Sequence, residues 1–492
     1  MKTDYMIVQA GGKGTRLEHL TTNKPKALVP VKNLPMLFHL FRKFPDKKFI
    51  IIADYKREVL HSYLEAFGNV KYQIVDADGE GTCGGLRQAI ELLPENEPFM
   101  LVWSDLILPQ SFEMPEEPHN YVGISQKFPC RWKYENGKFT EERSIEHGVA
   151  GLFIFKEKAA LKHIPKSGEL VRWLSQSKEK FEVLGLAGTQ EFGTLEEYNK
   201  LAVLKTRPFN SLTISEKVVI KKAVDEQGEI LAEREKAWYE FAKLHSVAVI
   251  PQIFDTNPLK MERIDGGNIY EQRPSLELLS EIVAAIKQLH TIKSQPADSF
   301  SVSEAYYGKT MSRLDKIRDL VPFADRHVIL VNGRECRNIF FYRRDFEQMI
   351  KRYKCKTFAF IHGDCTFSNI MLRKNGAPVL LDPRGYFGYT ELFGDPNYDW
   401  AKLFYSIVGN YDRFNLRDFR LMIKDNAVHL NISSNGWENL ENDFFRLSGV
   451  NEKTIRLIHA IIWLSLTTYA WQDYDSICGA FYNGLYYLEE LL

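Results

Sequence analysis

The sequence predicts an α/β protein of two domains, on three observations. Its 492 residues exceed what one hydrophobic core usually organises. Over roughly the first two hundred residues, short apolar runs alternate with helical stretches. Past residue 205 that rhythm gives way to two closely spaced strands, one long amphipathic helix and a mainly helical remainder.

The elements follow in order. Apolar runs at 5–9, 49–53, 72–75, 99–103 and 150–155 read as strands separated by helices, the pattern of βαβ units with a largely parallel sheet. A short helix, EEYNKLAVL, ends the pattern, so a boundary is expected near Lys205, between domains 1–204 and 205–492. SLTI and KVVIKKA then read as two strands joined by a tight turn, followed by an amphipathic helix over about 229–244. After Pro274 the chain reads as helical except at FIHGDCTFSNIMLRKNGAPVLLDPRG, which reads loop, strand, turn, strand. No internal repeat or low-complexity linker interrupts it.

Composition narrows the function classes. With 45% apolar and 26% charged residues the chain is ordinary for a globular protein, and 64 residues of each sign leave no global field to favour nucleic acid. Six scattered cysteines, without a CxxC pair, form no disulfide or zinc framework and suit a reducing cytoplasm. MKTDYMIVQAGG enters a strand without an apolar leader, and the apolar run at 460–466 is too short to span a bilayer. A cytoplasmic location without membrane insertion is expected, and a homo-oligomer is compatible with this reading.

The strand MIVQA runs into GGKGTRL. Glycines after a strand let backbone approach phosphates, and Lys13 and Arg16 can neutralise a triphosphate. NKPKALVPV, DADGEGTCGGLRQAI and a strand ending in WSDLIL follow. Together these resemble the sugar-phosphate nucleotidyltransferase superfamily, which includes phosphocholine cytidylyltransferases, over about residues 1–204. The resemblance implies a Rossmann-like domain whose loop, Gly11, Gly12, Lys13, Gly14, Thr15 and Arg16, holds a nucleoside triphosphate. It implies that Lys26 binds the reacting phosphates, and that Gly79, Gly81, Thr82, Gly84 and Gly85 lie against base and acceptor. Asp105 matches the family's Mg²⁺-binding aspartate, with helix capping as the plain alternative. The second metal ligand corresponds to Glu191 in QEFGTLEEY, where the family often has aspartate before Gly-Thr. EHGVAGLFIF replaces the usual Asn-Ala-Gly acceptor segment, which leaves the acceptor open.

The most specific signal is IHGDCTFSNIML followed by VLLDPRG. Phosphoryl transfer needs a carboxylate to accept the proton of the attacking hydroxyl, and an amide oxygen and second carboxylate to hold Mg²⁺. Asp364, Asn369 and Asp382 supply that set, and the spacing of five between the first two matches a kinase catalytic loop. This resembles the aminoglycoside phosphotransferase and choline kinase family over residues 206–492. The resemblance implies a bilobal α+β protein-kinase-like domain, with a small lobe at 205–263 and a large lobe at 264–492. In it Asp364 is the base, and Asn369 and Asp382 are metal ligands. His362 reads as a loop prop satisfied by backbone. The phosphate-pairing lysine is Lys221 or Lys222 and its helix partner Glu235 or Glu233, with Lys221 and Glu235 favoured, since strand alternation lets one lysine face the cleft. LKMERIDGG resembles the interlobe hinge, where backbone around 261–263, including Glu262, meets adenine. Asp395 and Asp399 read as structural or substrate-contacting. DPRG departs from the choline kinases and looks more like phosphotransferases of capsule and surface-polysaccharide gene clusters. There Arg384 either meets a charged substrate group or forms a structural pair. The aromatic stripe Trp463, Tyr469, Trp471, Tyr474, Phe481 and Tyr482 is either a cage for a quaternary ammonium or helical core.

Fusion of the two implies consecutive steps. ATP phosphorylates a small hydroxyl compound, and a second NTP (CTP, UTP, GTP or dTTP) then joins that phosphate to a nucleotide with Mg²⁺ as cofactor, releasing pyrophosphate. A sugar or polyol destined for capsule or surface glycan is the preferred substrate. Choline or ethanolamine is one alternative. A chain in which one domain only binds nucleotide is another.

Overall fold

The computed structural model describes residues 3–201, 210–224 and 226–491. The chain divides into two compact units, Met1–Leu204 with Trp471–Asp475, and Lys205–Ala470 with Ser476–Leu492. The boundary expected near Lys205 lies outside the described residues.

The first unit is built on a nine-stranded sheet. Tyr5–Gln9 lies between Lys48–Ala53 and Phe99–Trp103, parallel to both, and Lys48–Ala53 pairs in parallel with Lys71–Asp76. Met6, Ile7 and Val8 have no exposed surface. An unbroken apolar run, rather than alternation, suits a strand covered on both faces. Helix Arg57–Phe67 buries Leu60, Tyr63 and Leu64, spaced to form one stripe.

The expected parallel pairing holds for Tyr5–Gln9, Lys48–Ala53, Lys71–Asp76 and Phe99–Trp103, and the strand expected at 150–155 departs from it. Gly148–Phe155 is antiparallel to both Phe99–Trp103 and Tyr121–Ser125. Between residues 104 and 147 the chain forms short strands and loops with no crossover helix, and a parallel return needs such a crossover. At Gly151 (φ 89°) a Cβ would come within 2.0 Å of the Trp103 ring, so a side chain there would displace the indole.

The second unit opens with a four-stranded sheet in the order Asn210–Ile214, Val218–Ala223, Leu259–Glu262, Ile253–Thr256, flanked by helix Glu226–Leu244. Ile370–Leu372 and Pro378–Leu380 form the hairpin of the HGD segment. Helices Leu276–Ile292, Pro396–Ile407, Glu452–Leu466 and Tyr474–Glu489 build the larger part.

That part is less purely helical than the sequence suggests. Arg334–Arg337, Val328–Val331, Ala427–Ile432 and Phe419–Lys424 form another four-stranded sheet. Its two hairpins turn at Asn332–Gly333 (φ 49° and 80°) and at Asp425–Asn426 (φ 49° and 67°). Paired positive φ values are what asparagine, aspartate and glycine tolerate in two-residue turns, so VNGR and KDNA carried a hairpin signal.

Among the described residues no helix is long and apolar enough to cross a membrane.

Candidate active sites

In the first unit the glycine-rich loop follows the central strand. Gly12, Lys13, Thr15 and Arg16 are exposed, and the Lys13 ammonium stands 5.6 Å from the Tyr55 ring centre. Gly14 (φ 64°) turns the chain into the 3-10 helix Thr15–Thr21, and a Cβ on it would press on Lys26 at 3.0 Å. Lys26 N–H donates to the Gly12 carbonyl at 3.2 Å, which ties the KPK segment beneath the loop.

Lys26 Nζ is ion-paired with the buried Asp105. Asp105 follows the strand Phe99–Trp103, and the next residue, Leu106, pairs with Glu191 across a two-residue ladder. Glu191 is thereby brought beside Asp105, with Arg16 at 3.7 Å on its other side. Burial and the Asp105 carboxylate push the Glu191 carboxyl above its ordinary range, against the pull of Lys26 and Arg16. The longer glutamate needs room, and Gly193 supplies it: a Cβ there would meet Glu191 Oε1 at 2.0 Å.

The segment with Gly79, Gly81, Thr82 and Gly84 packs differently from the triphosphate loop. A Cβ on Gly79 would reach the Lys166 carbonyl at 2.0 Å, and one on Gly81 the Gly168 carbonyl at 2.5 Å. Thr82 Oγ1 accepts from Leu170 N–H at 2.7 Å. These glycines make room for the neighbouring loop of the same unit.

In the second unit, Lys221 Nζ donates to Glu235 Oε2 at 2.8 Å and to Asp382 Oδ1 at 2.9 Å, whereas Lys222 is exposed. Strand alternation therefore turns Lys221 inward, and the helix supplies Glu235, six per cent exposed, as its partner. Asp364 stands between two polar groups. Asn369 Nδ2 donates to its Oδ2 at 3.0 Å, and Lys402 Nζ lies 3.0 Å from Oδ1. Asp382 adopts φ 55°, an uncommon conformation for a non-glycine residue.

His362 is wholly buried and props the loop. Its Nε2 donates to the Leu381 carbonyl at 2.9 Å, its Nδ1 accepts from Asp364 N–H at 3.2 Å, and burial lowers its pKa. Asp399, also wholly buried, accepts from His362 N–H, Gly363 N–H and His290. Asp395 caps helix Pro396–Ile407 through Asn397 N–H and accepts the hydroxyls of Tyr306 and Tyr353. Both aspartates are thus structural. Glu262 is committed as well: its carboxylate binds Arg373 and Gln252 N–H, and its own N–H donates to the Gln252 carbonyl at 2.8 Å.

Around Arg384, which the sequence singles out, the structure gathers Lys309, Arg313 and Lys402, which it does not, into a basic cluster beside Asp364. Arg384 donates to Tyr398 Oη at 2.9 Å, Lys309 lies 5.8 Å and Lys402 6.0 Å from the Tyr398 ring centre, and Arg313 donates to the Ser465 carbonyl. The spacing Asp395, Tyr398, Asp399, Lys402 marks one helix face and was legible as such; Lys309 and Arg313 come from a distant helix. Of the C-terminal aromatics, Trp463, Tyr474, Phe481 and Tyr482 are at most one per cent exposed, and Trp471 belongs to the first unit. The stripe is core, and Tyr469, forty per cent exposed, stands near the guanidinium groups of Arg313 and Arg384.

Asp105 with Glu191, and Asp382 with the Asn369 amide, are oxygen donor sets. Mg²⁺ is commonly held by one or two carboxylates together with nucleotide phosphates. Among the described residues no three His, Cys, Asp or Glu side chains gather as a metal cage.

A mixed sheet carrying a lysine and two carboxylates, and a kinase-like unit in which Lys221 bridges Glu235 and Asp382, define a two-domain α/β protein. Residues 5–117 match the nucleotidyl transferase family and residues 215–420 the phosphotransferase enzyme family, so the chain joins a domain of each. Residues of the first domain are 28% identical over 180 residues to the mannose-1-phosphate guanylyltransferase catalytic subunit beta of Dictyostelium discoideum, covering 30% of this chain and 48% of that protein. They are 34% identical over 122 residues to the mannose-1-phosphate guanyltransferase of Yarrowia lipolytica, covering 23% and 33%. The chain thus spans less than half the length of these relatives. Among solved structures it is similar to the inositol-1-phosphate CTP transferase from T. maritima, at 16% identity and TM-score 0.34 over 40% of this chain and 92% of that one. It is also similar to the CTP:phosphocholine cytidylyltransferase from Streptococcus pneumoniae, at 21% identity and TM-score 0.32 over 40% and 96%.

Proposed function

We propose that the chain is a bifunctional transferase. Its second domain moves the γ-phosphoryl group of ATP to a hydroxyl of a small molecule. Its first joins a phosphate of that kind to the nucleoside monophosphate part of a second NTP and releases pyrophosphate. The observation that carries the reading is the bridge of Lys221 between Glu235 and Asp382, set in the same unit as the Asp364–Asn369 pair.

In the kinase-type site the acceptor oxygen attacks the γ-phosphorus, the bond to the β,γ-bridging oxygen breaks, ADP leaves, and the hydroxyl proton passes to Asp364. Asn369 and Lys402 orient that carboxylate, Asp399 fixes the backbone on which it rides, and Lys221 faces the nucleotide phosphates. In the first domain an acceptor phosphate oxygen attacks the α-phosphorus and the α,β-bridging bond breaks, so no proton acceptor is needed. Lys26, Lys13 and Arg16 neutralise the triphosphate there. Mg²⁺, held by Asp105 and Glu191 in one site and by Asn369 and Asp382 in the other, would supply charge neutralisation on the phosphates.

A sugar or polyol acceptor, a nucleotide-activated product for capsule or surface glycan, and a cytoplasmic setting are the finer reading. The similarity of the first domain to mannose-1-phosphate guanylyltransferases supports a sugar phosphate and places GTP among the NTPs to try. A mass-spectrometric turnover screen tests this, using Mg²⁺, ATP, each of CTP, UTP, GTP and dTTP, and pools of sugars, polyols and amino alcohols. A nucleotide-diphosphate conjugate formed from an unphosphorylated compound is expected. Accumulation of a phosphorylated compound alone would leave the kinase standing and make the first domain a binding module or an enzyme for a different acceptor.

A further inference from the structure

We propose that the acceptor of the second domain carries an anionic group, a carboxylate or a phosphate, bound by Lys309, Arg313 and Arg384 beside Asp364. The proposal rests on reading Asp364 as the base of a phosphotransferase, but the anion site has its own observations.

Four cations converge on Tyr398: Lys309 and Arg313 from helix Lys309–Ile317, Arg384 from the DPRG turn, and Lys402 from helix Pro396–Ile407. Only Lys402 has a carboxylate within ion-pair distance, Asp364 at 3.0 Å. Arg384 donates to a phenol and Arg313 to a backbone carbonyl, and Lys309 faces an aromatic ring. Among the described residues none of these three forms an ion pair, whereas Arg337, Arg373 and Arg456 of the same unit each hold a glutamate. The chain has equal numbers of acidic and basic residues, so composition does not account for the excess.

All four cations are partly buried. Gathering four like charges away from bulk water is unfavourable where only Asp364 and the Tyr398 phenol stand against them, and an anion bound among them would offset that cost. The charges act differently on the members of the cluster, and Tyr398 and Asp364 favour the charged form of Arg384. Burial and the charges of Arg384, Arg313 and Lys402 lower the Lys309 pKa to about 8 even though Tyr398 opposes the shift. The groups read as facing the nucleotide phosphates and Mg²⁺, namely Lys221, Glu235, Asn369 and Asp382, are a separate set. The cluster adjoins Asp364, where an acceptor hydroxyl has to lie. Such a site repels choline and ethanolamine. It suits a hydroxy acid, such as a sugar acid, or a hydroxylated phosphate ester.

The test uses the full chain and four probes of similar size: glycerate, glycerol 3-phosphate, glycerol and choline. Binding is measured calorimetrically with a non-hydrolysable ATP analogue present, in the wild type and in Lys309→Met and Arg313→Met. At least one anion is expected to bind, with affinity falling at least tenfold in each variant, and glycerol and choline are expected not to bind. The two anions tell a carboxylate site from a phosphate site. Because Lys309 lacks an acidic partner, Lys309→Met should melt no lower than the wild type, which separates lost binding from lost fold. If neither anion binds, if binding survives both substitutions, or if the ATP analogue displaces the anion, the proposal is overturned. Phosphorylation of glycerol or choline in preference to both anions overturns it too while leaving the phosphotransferase reading intact. Anion binding without ATP turnover of any acceptor would keep the anion site and sink that reading.

Discussion

Gly363 N–H donates to Asp399 Oδ1 at 2.6 Å, while the same carboxylate's other oxygen takes His362 N–H at 2.8 Å. One buried side chain therefore holds two successive amides just before Asp364. Asp399→Asn replaces one acceptor oxygen with a donor and leaves an amide N–H unsatisfied, at a cost of about 2 kcal/mol. Urea unfolding should register that loss. Steady-state kinetics should show kcat for phosphoryl transfer down at least tenfold with the KM for ATP nearly unchanged, as expected of a positioning residue.

Lys221 and Lys222 differ by one place on a strand and should behave oppositely. Lys221→Met strips Glu235 and Asp382 of their shared cation, which should cost about 3 kcal/mol in chemical unfolding. It should also lower ATP-dependent phosphorylation at least a hundredfold. Lys222→Met removes an exposed charge and should leave both quantities close to wild type. Equal effects would contradict the inward orientation of Lys221.

The two sites should fail independently. Asp105→Asn is expected to lower nucleotidyl transfer by about 100-fold or more while kinase turnover persists, and Asp364→Asn should do the reverse. Glu191→Gln should also depress nucleotidyl transfer, because the Asp105 carboxylate would lose its partner in the acidic pair. Separate assays of pyrophosphate release and ADP formation distinguish these outcomes.

The acceptor site should lose anions as pH rises. Burial raises the Tyr398 phenol, yet the charges of Lys309, Arg384 and Lys402 outweigh it and bring its pKa to about 7, with Asp364 opposing them. Lys309, faced by Tyr398, Arg384, Arg313 and Lys402, titrates at about 8. Deprotonation of Tyr398 adds a negative charge and deprotonation of Lys309 removes a positive one, so both steps weaken anion binding. Acceptor KM measured from pH 6.5 to 9 should climb for an anionic acceptor. In Tyr398→Phe the phenol step should vanish and the rise should collapse to a single step set by Lys309, whose pKa also loses the upward pull of Tyr398.

Much of this molecule can be read from its residues in a line. IHGDCTFSN and VLLDPRG carry Asp364, Asn369 and Asp382 within twenty residues, because a hairpin is a local object and its side chains stay neighbours in any fold that keeps it. GGKGTRL is equally local, and the apolar runs of the first sheet show their burial directly. The two hairpins of the second unit's other sheet are also local, marked by VNGR and KDNA, whereas the parallel pairing that joins them is long-range.

Only the tertiary structure decided the rest. Periodicity says that one of Lys221 and Lys222 faces inward, but which one depends on where helix Glu226–Leu244 packs against the sheet. Glu191 reaches Asp105 because two short strands far apart in sequence pair at Leu106. The basic cluster draws on a helix near residue 309, a turn near 384 and a helix near 400. Its defining property, four cations beside the one carboxylate of Asp364, is a sum over long-range Coulomb neighbours that no local pattern of residues encodes.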